Sequence, residues 1–156
     1  MIDETPAIDE RRLIIPGLAG LYRAVAPFGY AAIRVALALV LLANGIDKVF
    51  YGGAARIAAG NITTLGFPYP YAWAWAVAYI EFYGAIMIGL GLFTRPVAFS
   101  MTIAFAVIAF GIMINRGLFW HTGGIEVALL LLAMAIALVI GGGGRYSLDR
   151  LIGREF

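Results

Sequence analysis

The sequence contains no cysteine and only one histidine, His121, among its 156 residues. Without cysteine, the chain cannot form a disulfide, use a thiolate nucleophile or bind a cysteine-ligated iron–sulfur cluster. A single histidine also disfavours a zinc or haem site built from protein ligands alone. We therefore expect no metal and no resident cofactor in this chain, so that any redox chemistry would need groups supplied by another molecule.

Charged residues are scarce as well, at 13% of the chain, whereas a soluble domain has about a quarter. Hydrophobic residues make up 63% of the sequence, too many for polar groups to cover the surface of a domain in water. The formal net charge is only +2, and no basic cluster alternates with aromatic residues. The composition therefore predicts a lipid bilayer as the environment and excludes nucleic acid as a partner.

Four long apolar segments meet the requirement of roughly 20 residues for a helix that crosses the hydrocarbon core. They comprise residues 27–50, 71–93, 96–115 and 124–140. Because lipid offers no hydrogen bonds to the backbone, we expect each segment to be helical. The predicted fold is an all-α membrane protein: a four-transmembrane-helix bundle at 27–140, preceded by a partly interfacial segment at 1–26 and followed by a tail at 141–156. Residues 53–65 are too apolar for a simple loop and predict a half-helix on the outer surface.

The distribution of basic residues predicts the direction of the spans. Seven basic residues flank one side of the predicted membrane: Arg11, Arg12, Arg23, Arg95, Arg145, Arg150 and Arg154. Three flank the other side, namely Lys48, Arg56 and Arg116. Because Lys and Arg are enriched in cytoplasmic loops, we expect both termini to be cytoplasmic.

Three ionisable residues, Arg34, Glu81 and Glu126, lie inside the predicted spans. A charged residue at the centre of a bilayer costs at least ~2.5 kcal/mol unless it is paired or hydrated, so these side chains should face the bundle interior. Small residues on the same helical stripe as Glu81 also indicate a helix–helix contact: Ala74, Ala78, Gly84 and Ala85. Arg34 and Glu81 are expected to form an ion pair. In the alternative, Arg34 extends to the cytoplasmic interface and Glu81 is neutral.

A second group of polar residues is expected near the outer boundary. Its members are Asn44, Asp47, Lys48, Arg116, His121 and Glu126, with Trp120 beside them. Such a group can form a ligand pocket, with Asn44, Asp47, Lys48, Arg116, Trp120 and His121 as the binding residues. It can equally form a structural network that holds the helices in register. The pattern alone leaves both interpretations open.

Several motifs together resemble the DoxX family. They are "RVALALVLLANGIDKVFYGG", "LGFPYP", "IEFYGAIMIGLGLFTR", "GLFWHTGGIEVALLLLA" and "GGGGRYSLDRLIGREF". The resemblance implies a small four-helix protein of the bacterial inner membrane. It also implies association with membrane oxidoreductases, since some members are similar to the membrane subunit of a thiosulfate:quinone oxidoreductase. This chain has Asn44 where many members have histidine, and it lacks cysteine, so relatives that use thiol chemistry are poor guides.

The residues and the resemblance together favour a quinone-linked subunit of a redox assembly. Glu81 or Glu126 would supply protons as the catalytic candidates, and Asp47, Lys48 or His121 would bond the quinone carbonyls. Other membrane or membrane-associated redox subunits would then be partners. The alternative is a non-catalytic accessory or anchor subunit of a larger membrane complex. A small transporter or proton pathway is disfavoured because the sequence has no clear internal repeat.

Overall fold

The computed structural model describes residues 13–153, and every regular element within that range is helical. The α-helices are α1 (Ala19–Phe50), α2 (Gly53–Ile57), α3 (Pro70–Leu90), α4 (Thr94–Ala106), α5 (Glu126–Gly141) and α6 (Leu148–Ile152). The predicted all-α class is confirmed for these residues. Arg11, Arg12 and Arg154, which contributed to the predicted orientation, lie outside the described range.

Within residues 13–153, three helical segments are long and apolar enough to cross a membrane: Ala19–Phe50, Pro70–Leu90 and Thr94–Arg116. The fourth apolar helix, α5, has 16 residues. At 1.5 Å per residue it is about 24 Å long, somewhat shorter than a hydrocarbon core of about 30 Å. The described part of the chain therefore has three helices of spanning length and a shorter fourth apolar helix.

The first long helix begins at Ala19, so the prediction that the helix starts at Pro27 is wrong. Pro27 lies inside α1, and the helix is preceded by a 3₁₀ turn at Pro16–Leu18. A proline within a helix removes one backbone hydrogen bond, yet membrane helices tolerate this loss. The residues before Pro27 are mostly good helix formers, so the helix continues through the proline.

The helices are arranged so that α1 packs mainly against α3, and α4 mainly against α5. Gly45 permits the first of these contacts, since a β carbon at this position would lie only 2.6 Å from the α carbon of Phe82. Buried residues from all four helices form one core, which consists of Leu37, Ala38, Leu41, Ala85, Ile88, Ala98, Met101, Phe105, Ala135 and Leu138. The bundle expected from the sequence is therefore a packed one.

The half-helix expected after the first span is present. It consists of α2 and a wider π-helical turn at Ala58–Ile62. Its buried alanines, Ala54 and Ala58, pack with Ala74 and Ala78 near the beginning of α3. The half-helix thus covers the part of α3 that extends beyond the end of α1.

The C-terminal helix α6 is held against the α3–α4 turn by a buried carboxylate. Asp149 accepts hydrogen bonds from the backbone N–H groups of Phe93 and Thr94 and from the Thr94 hydroxyl, at 2.7–2.9 Å. Its own backbone N–H donates to the Gly91 carbonyl at 2.9 Å. Asp149 therefore satisfies N–H groups at the start of α4 that have no partner within that helix.

Candidate functional site

The structure contains a cavity of about 730 Å³, which is within the size range of small-molecule sites. Residues from α1, α3, α4, α5 and the half-helix line it, and most of them are apolar. Its polar side chains, apart from two tryptophans, are Asn44, Lys48, Asn61, Glu81 and Ser100. An apolar cavity with a few polar groups is the usual form of a binding site for a small organic ligand.

The charged groups in the cavity form an ion pair. Lys48 Nζ on α1 donates to Glu81 Oε2 on α3, and the two side chains are only 12% and 3% exposed. Lys48 follows Gly45 by almost one turn, and Glu81 directly precedes Phe82, so the close contact between Gly45 and Phe82 brings the two charges together. Each charge offsets the cost of burying the other, and either one alone would be strongly unfavourable here.

The prediction that Arg34 and Glu81 form an ion pair is wrong. Arg34 is buried, but its guanidinium donates to the backbone carbonyls of Gly143 and Tyr146, beyond the end of α5. Because Gly45 lies opposite Phe82, Arg34 is 11 residues or about 16 Å below the level of Glu81. That separation is too large for the side chain. Arg34 instead reaches residues of the predicted cytoplasmic tail, the direction that the alternative gave it.

The polar cluster expected near the outer boundary divides into separate parts. Asn44, Lys48 and Trp120 line the cavity, whereas Asp47 does not. Asp47 forms an exposed ion pair with Arg56 of α2, at 2.7 Å. The sequence therefore predicted a similar depth for these side chains. It did not indicate which of them line the cavity and which lie on the surface.

The remaining members of the cluster organise the loop between α4 and α5. Glu126 accepts a hydrogen bond from the backbone N–H of Trp120 at 3.1 Å, and Arg116 donates to Asn61 Oδ1 at 2.9 Å. His121 stacks on Phe119, with ring centroids 5.6 Å apart. None of Arg116, His121 and Glu126 lines the cavity. Glu126 therefore holds the backbone of Trp120 at the edge of the cavity and is not part of its wall.

Sequence reasoning missed most of the cavity lining, including the polar or aromatic residues Asn61, Phe67, Trp73 and Ser100. Asn61 and Ser100 are polar residues in mostly apolar segments, and this contrast was the available signal. Two π-helical turns, Ala58–Ile62 and Val107–Met113, also contribute to the lining. Such turns often occur at functional sites, yet their hydrogen bonding cannot be read from a hydropathy pattern.

The family model that describes DoxX matches residues 29–114, which is more than half of the chain. The chain belongs to the DoxX family. The matched range includes Asn44, Lys48 and Glu81, and together with the apolar helices it identifies a multi-pass membrane protein. DoxX proteins are generally linked to redox or quinone-associated membrane functions. No curated protein and no solved structure matches the chain.

Proposed function

We propose that this DoxX protein is a membrane subunit of a quinone-linked redox assembly and that its cavity binds the quinone ring. One observation carries the proposal: a largely apolar cavity of about 730 Å³ has the buried Lys48–Glu81 ion pair in its wall. Apolar walls suit a flat carbonyl ring, and a small number of polar groups can orient it. The family's general link to quinone-associated functions points to the same class of ligand.

The polar groups of the cavity match the chemistry of a quinone. The Lys48 ammonium has three N–H donors, so it can bond a carbonyl oxygen while it keeps its contact with Glu81. The Asn44 amide N–H donates to the Val40 carbonyl at 2.9 Å, which leaves its side-chain oxygen able to accept a bond from a quinol hydroxyl. Lys48 and Asn44 would therefore favour the oxidised and the reduced ligand respectively.

Reduction of a quinone to a quinol takes two electrons and two protons. The sequence has no cysteine and one histidine, so we assign the electron supply to a partner subunit that carries a redox centre. The Lys48 ammonium would give one proton to a quinone oxygen. Glu81 is a carboxylate in the ion pair, so it would pass on the second proton only after taking it up from water. An activity similar to thiosulfate:quinone oxidoreductase is one reaction of this class. We further propose a bacterial inner-membrane location with four crossings and both termini in the cytoplasm.

Tryptophan fluorescence provides the test, because Trp73 and Trp120 line the cavity and a bound quinone would quench them. The protein purified in mild detergent would be titrated with the short-tailed ubiquinone-1. We expect saturable quenching whose dissociation constant rises about tenfold or more in Lys48→Met and Glu81→Gln. Asp47→Asn, which alters an ion pair outside the cavity, should leave the dissociation constant of ubiquinone-1 unchanged. Quenching that never saturates, or that is the same in all variants, would contradict the proposal.

An accessory or anchor role is the second candidate, and an exposed aromatic row on α3 favours it. Trp75, Tyr79 and Tyr83 are each 38–57% exposed, and successive ring centroids are 5.5 and 6.0 Å apart. This row could pack against a helix of another membrane subunit. An accessory subunit should carry its partner through native purification in mild detergent, yet show no saturable quenching by ubiquinone-1. A lone monomer in the mass measurement would count against this role.

A further inference from the structure

The cavity is not closed on all sides, and the residues at its edge show where it opens. Val40, Ile103 and Val107 all line the cavity and are nevertheless 45%, 52% and 45% exposed. A side chain that contributes to the wall of a cavity and is also half exposed lies at its rim. Asn44, one turn after Val40, is likewise exposed.

These rim residues lie at the depth of the acyl chains. Ile103 and Val107 are near the middle of the helical segment Thr94–Arg116. Val40 is ten residues, or about 15 Å, from the end of α1 at Phe50. Exposed side chains in the middle of such helices face hydrocarbon rather than water or headgroups. The cavity is therefore open sideways toward the interior of the bilayer. It is also open at the helix ends, where the lining residues Phe67, Trp73 and Trp120 are 44%, 53% and 67% exposed.

Polar and apolar groups are also separated across the cavity. The ion pair and Asn44 belong to α1 and α3, whereas α4 and α5 contribute mainly aliphatic side chains. The exception on α4 is Ser100, whose hydroxyl donates to the Pro96 carbonyl at 3.1 Å and is thus satisfied. A ligand that fits this arrangement has its polar atoms at one end and a long apolar portion at the other.

We propose that the cavity takes a membrane-dissolved amphiphile with a long apolar tail, which enters from within the bilayer. This inference rests on the proposed function and specifies its ligand as a tailed, lipid-soluble quinone. The ring lies beside Lys48 and Glu81. The tail crosses the rim at Val40, Ile103 and Val107 and continues among the acyl chains.

Photoaffinity labelling tests where the tail leaves the cavity. The probe is a decyl-tailed benzoquinone with a diazirine at the end of the tail, added to the protein in nanodiscs and located by mass spectrometry. We expect adducts at Val40, Ile103 or Val107 that excess ubiquinone-1 suppresses. Adducts confined to Phe67, Trp73 or Trp120, at the helix ends, would overturn sideways entry. If ubiquinone-1 still gave saturable quenching, the proposed function would stand while this inference failed.

A matched pair of substitutions on α4 gives an independent measure. Ala104 lines the cavity and Ala106 does not, although both are partly buried on the same helix. Ala104→Trp should raise the dissociation constant of the decyl-tailed quinone about tenfold, with a smaller effect on the tailless ring. Ala106→Trp should leave the dissociation constants of both the tailed and the tailless quinone unchanged. Equal losses for tailed and tailless ligands in Ala104→Trp, or no loss for either, would contradict the tail path.

Discussion

Gly45 of α1 lies directly against Phe82 of α3. A β carbon at residue 45 would be 2.6 Å from the α carbon and 2.7 Å from the nitrogen of Phe82. Those atoms belong to the backbone and cannot rotate away, so the helices themselves would have to separate. This close contact is compatible with only a narrow range of registers of α1 against α3, and the register decides which side chains meet across the interface.

We predict that Gly45→Ala destabilises the bundle by about 1–3 kcal/mol, because overpacking at a helix–helix contact forces backbone shifts. Gly29→Ala is the matched control, since Gly29 is also in α1 and a β carbon there has no neighbour within 4 Å. Unfolding in mixed detergent micelles, followed by circular dichroism, measures both. Equal stability of the two variants would show that α1 and α3 can separate without cost.

The Lys48–Glu81 pair should show strong coupling in a double-mutant cycle. Lys48→Met or Glu81→Gln alone leaves the other group without its ionic partner in a mostly buried site, and we expect each to cost about 3 kcal/mol or more. The double variant should cost clearly less than the sum of the two. The free energy of unfolding of all four proteins measures the coupling. Additive effects would mean that water in the cavity already solvates both groups.

Asp47 offers a comparison for that cycle within the same helix turn. Its ion pair with Arg56 is half exposed, with side-chain exposures of 50% and 62%. We predict that Asp47→Asn changes the free energy of unfolding by less than about 1 kcal/mol, as is usual for surface ion pairs. A loss as large as that of Glu81→Gln would place Asp47 among the residues that hold the bundle together.

The positions of the helices followed from the sequence, because long apolar runs have few alternatives in lipid. The buried face of α3 was also predicted, since the small residues beside Glu81 indicated a helix contact, and Ala74, Ala78 and Gly84 are indeed buried. The ionic partner of Glu81, however, was not predicted correctly. Whether Arg34 or Lys48 reaches it depends on the register of α1 against α3, which follows from close packing such as that of Gly45 on Phe82 and cannot be read from hydropathy.

The role of the C-terminal region was likewise beyond a reading of hydropathy. Arg34 bonds carbonyls that follow α5, and Asp149 bonds the first residues of α4, so both depend on a chain path over more than 50 residues. Motifs such as "RYSLD" mark positions but do not name their contacts. The prediction that the outer polar residues form one cluster was wrong for a similar reason, because residues at equal depth can still face different directions.

Asp149 should be important for the stability of the α3–α4 turn. Asp149→Ala removes three hydrogen bonds to Phe93 and Thr94, and we expect a loss of about 1–2 kcal/mol, as for a lost N-terminal cap. Faster hydrogen exchange at Thr94 would accompany it. Arg150→Ala is the control, because Arg150 is exposed. Its backbone N–H donates to the Ser147 hydroxyl, and the substitution keeps this bond. An unchanged exchange rate in Asp149→Ala would contradict the capping role.

Cysteine labelling can establish the orientation of the helices, because the natural chain contains no cysteine. Single cysteines would replace three exposed residues: Thr64 after the half-helix, Thr122 before α5 and Arg145 after it. With seven basic residues on one flank and three on the other, we expect Thr64→Cys and Thr122→Cys to react with an impermeant maleimide in intact cells. Arg145→Cys should react only after permeabilisation.

The Thr122 and Arg145 positions also decide whether α5 crosses the bilayer. Its 16 residues are fewer than usual for a span, yet Leu130, Ile136 and Ile140 are 42–67% exposed and would be poorly placed in water. A membrane can thin locally around a short helix at modest cost, so we expect opposite labelling of the two positions. Labelling of both from the same side would mean that α5 enters the membrane without crossing it. The bundle would then have three spans and its termini on opposite sides.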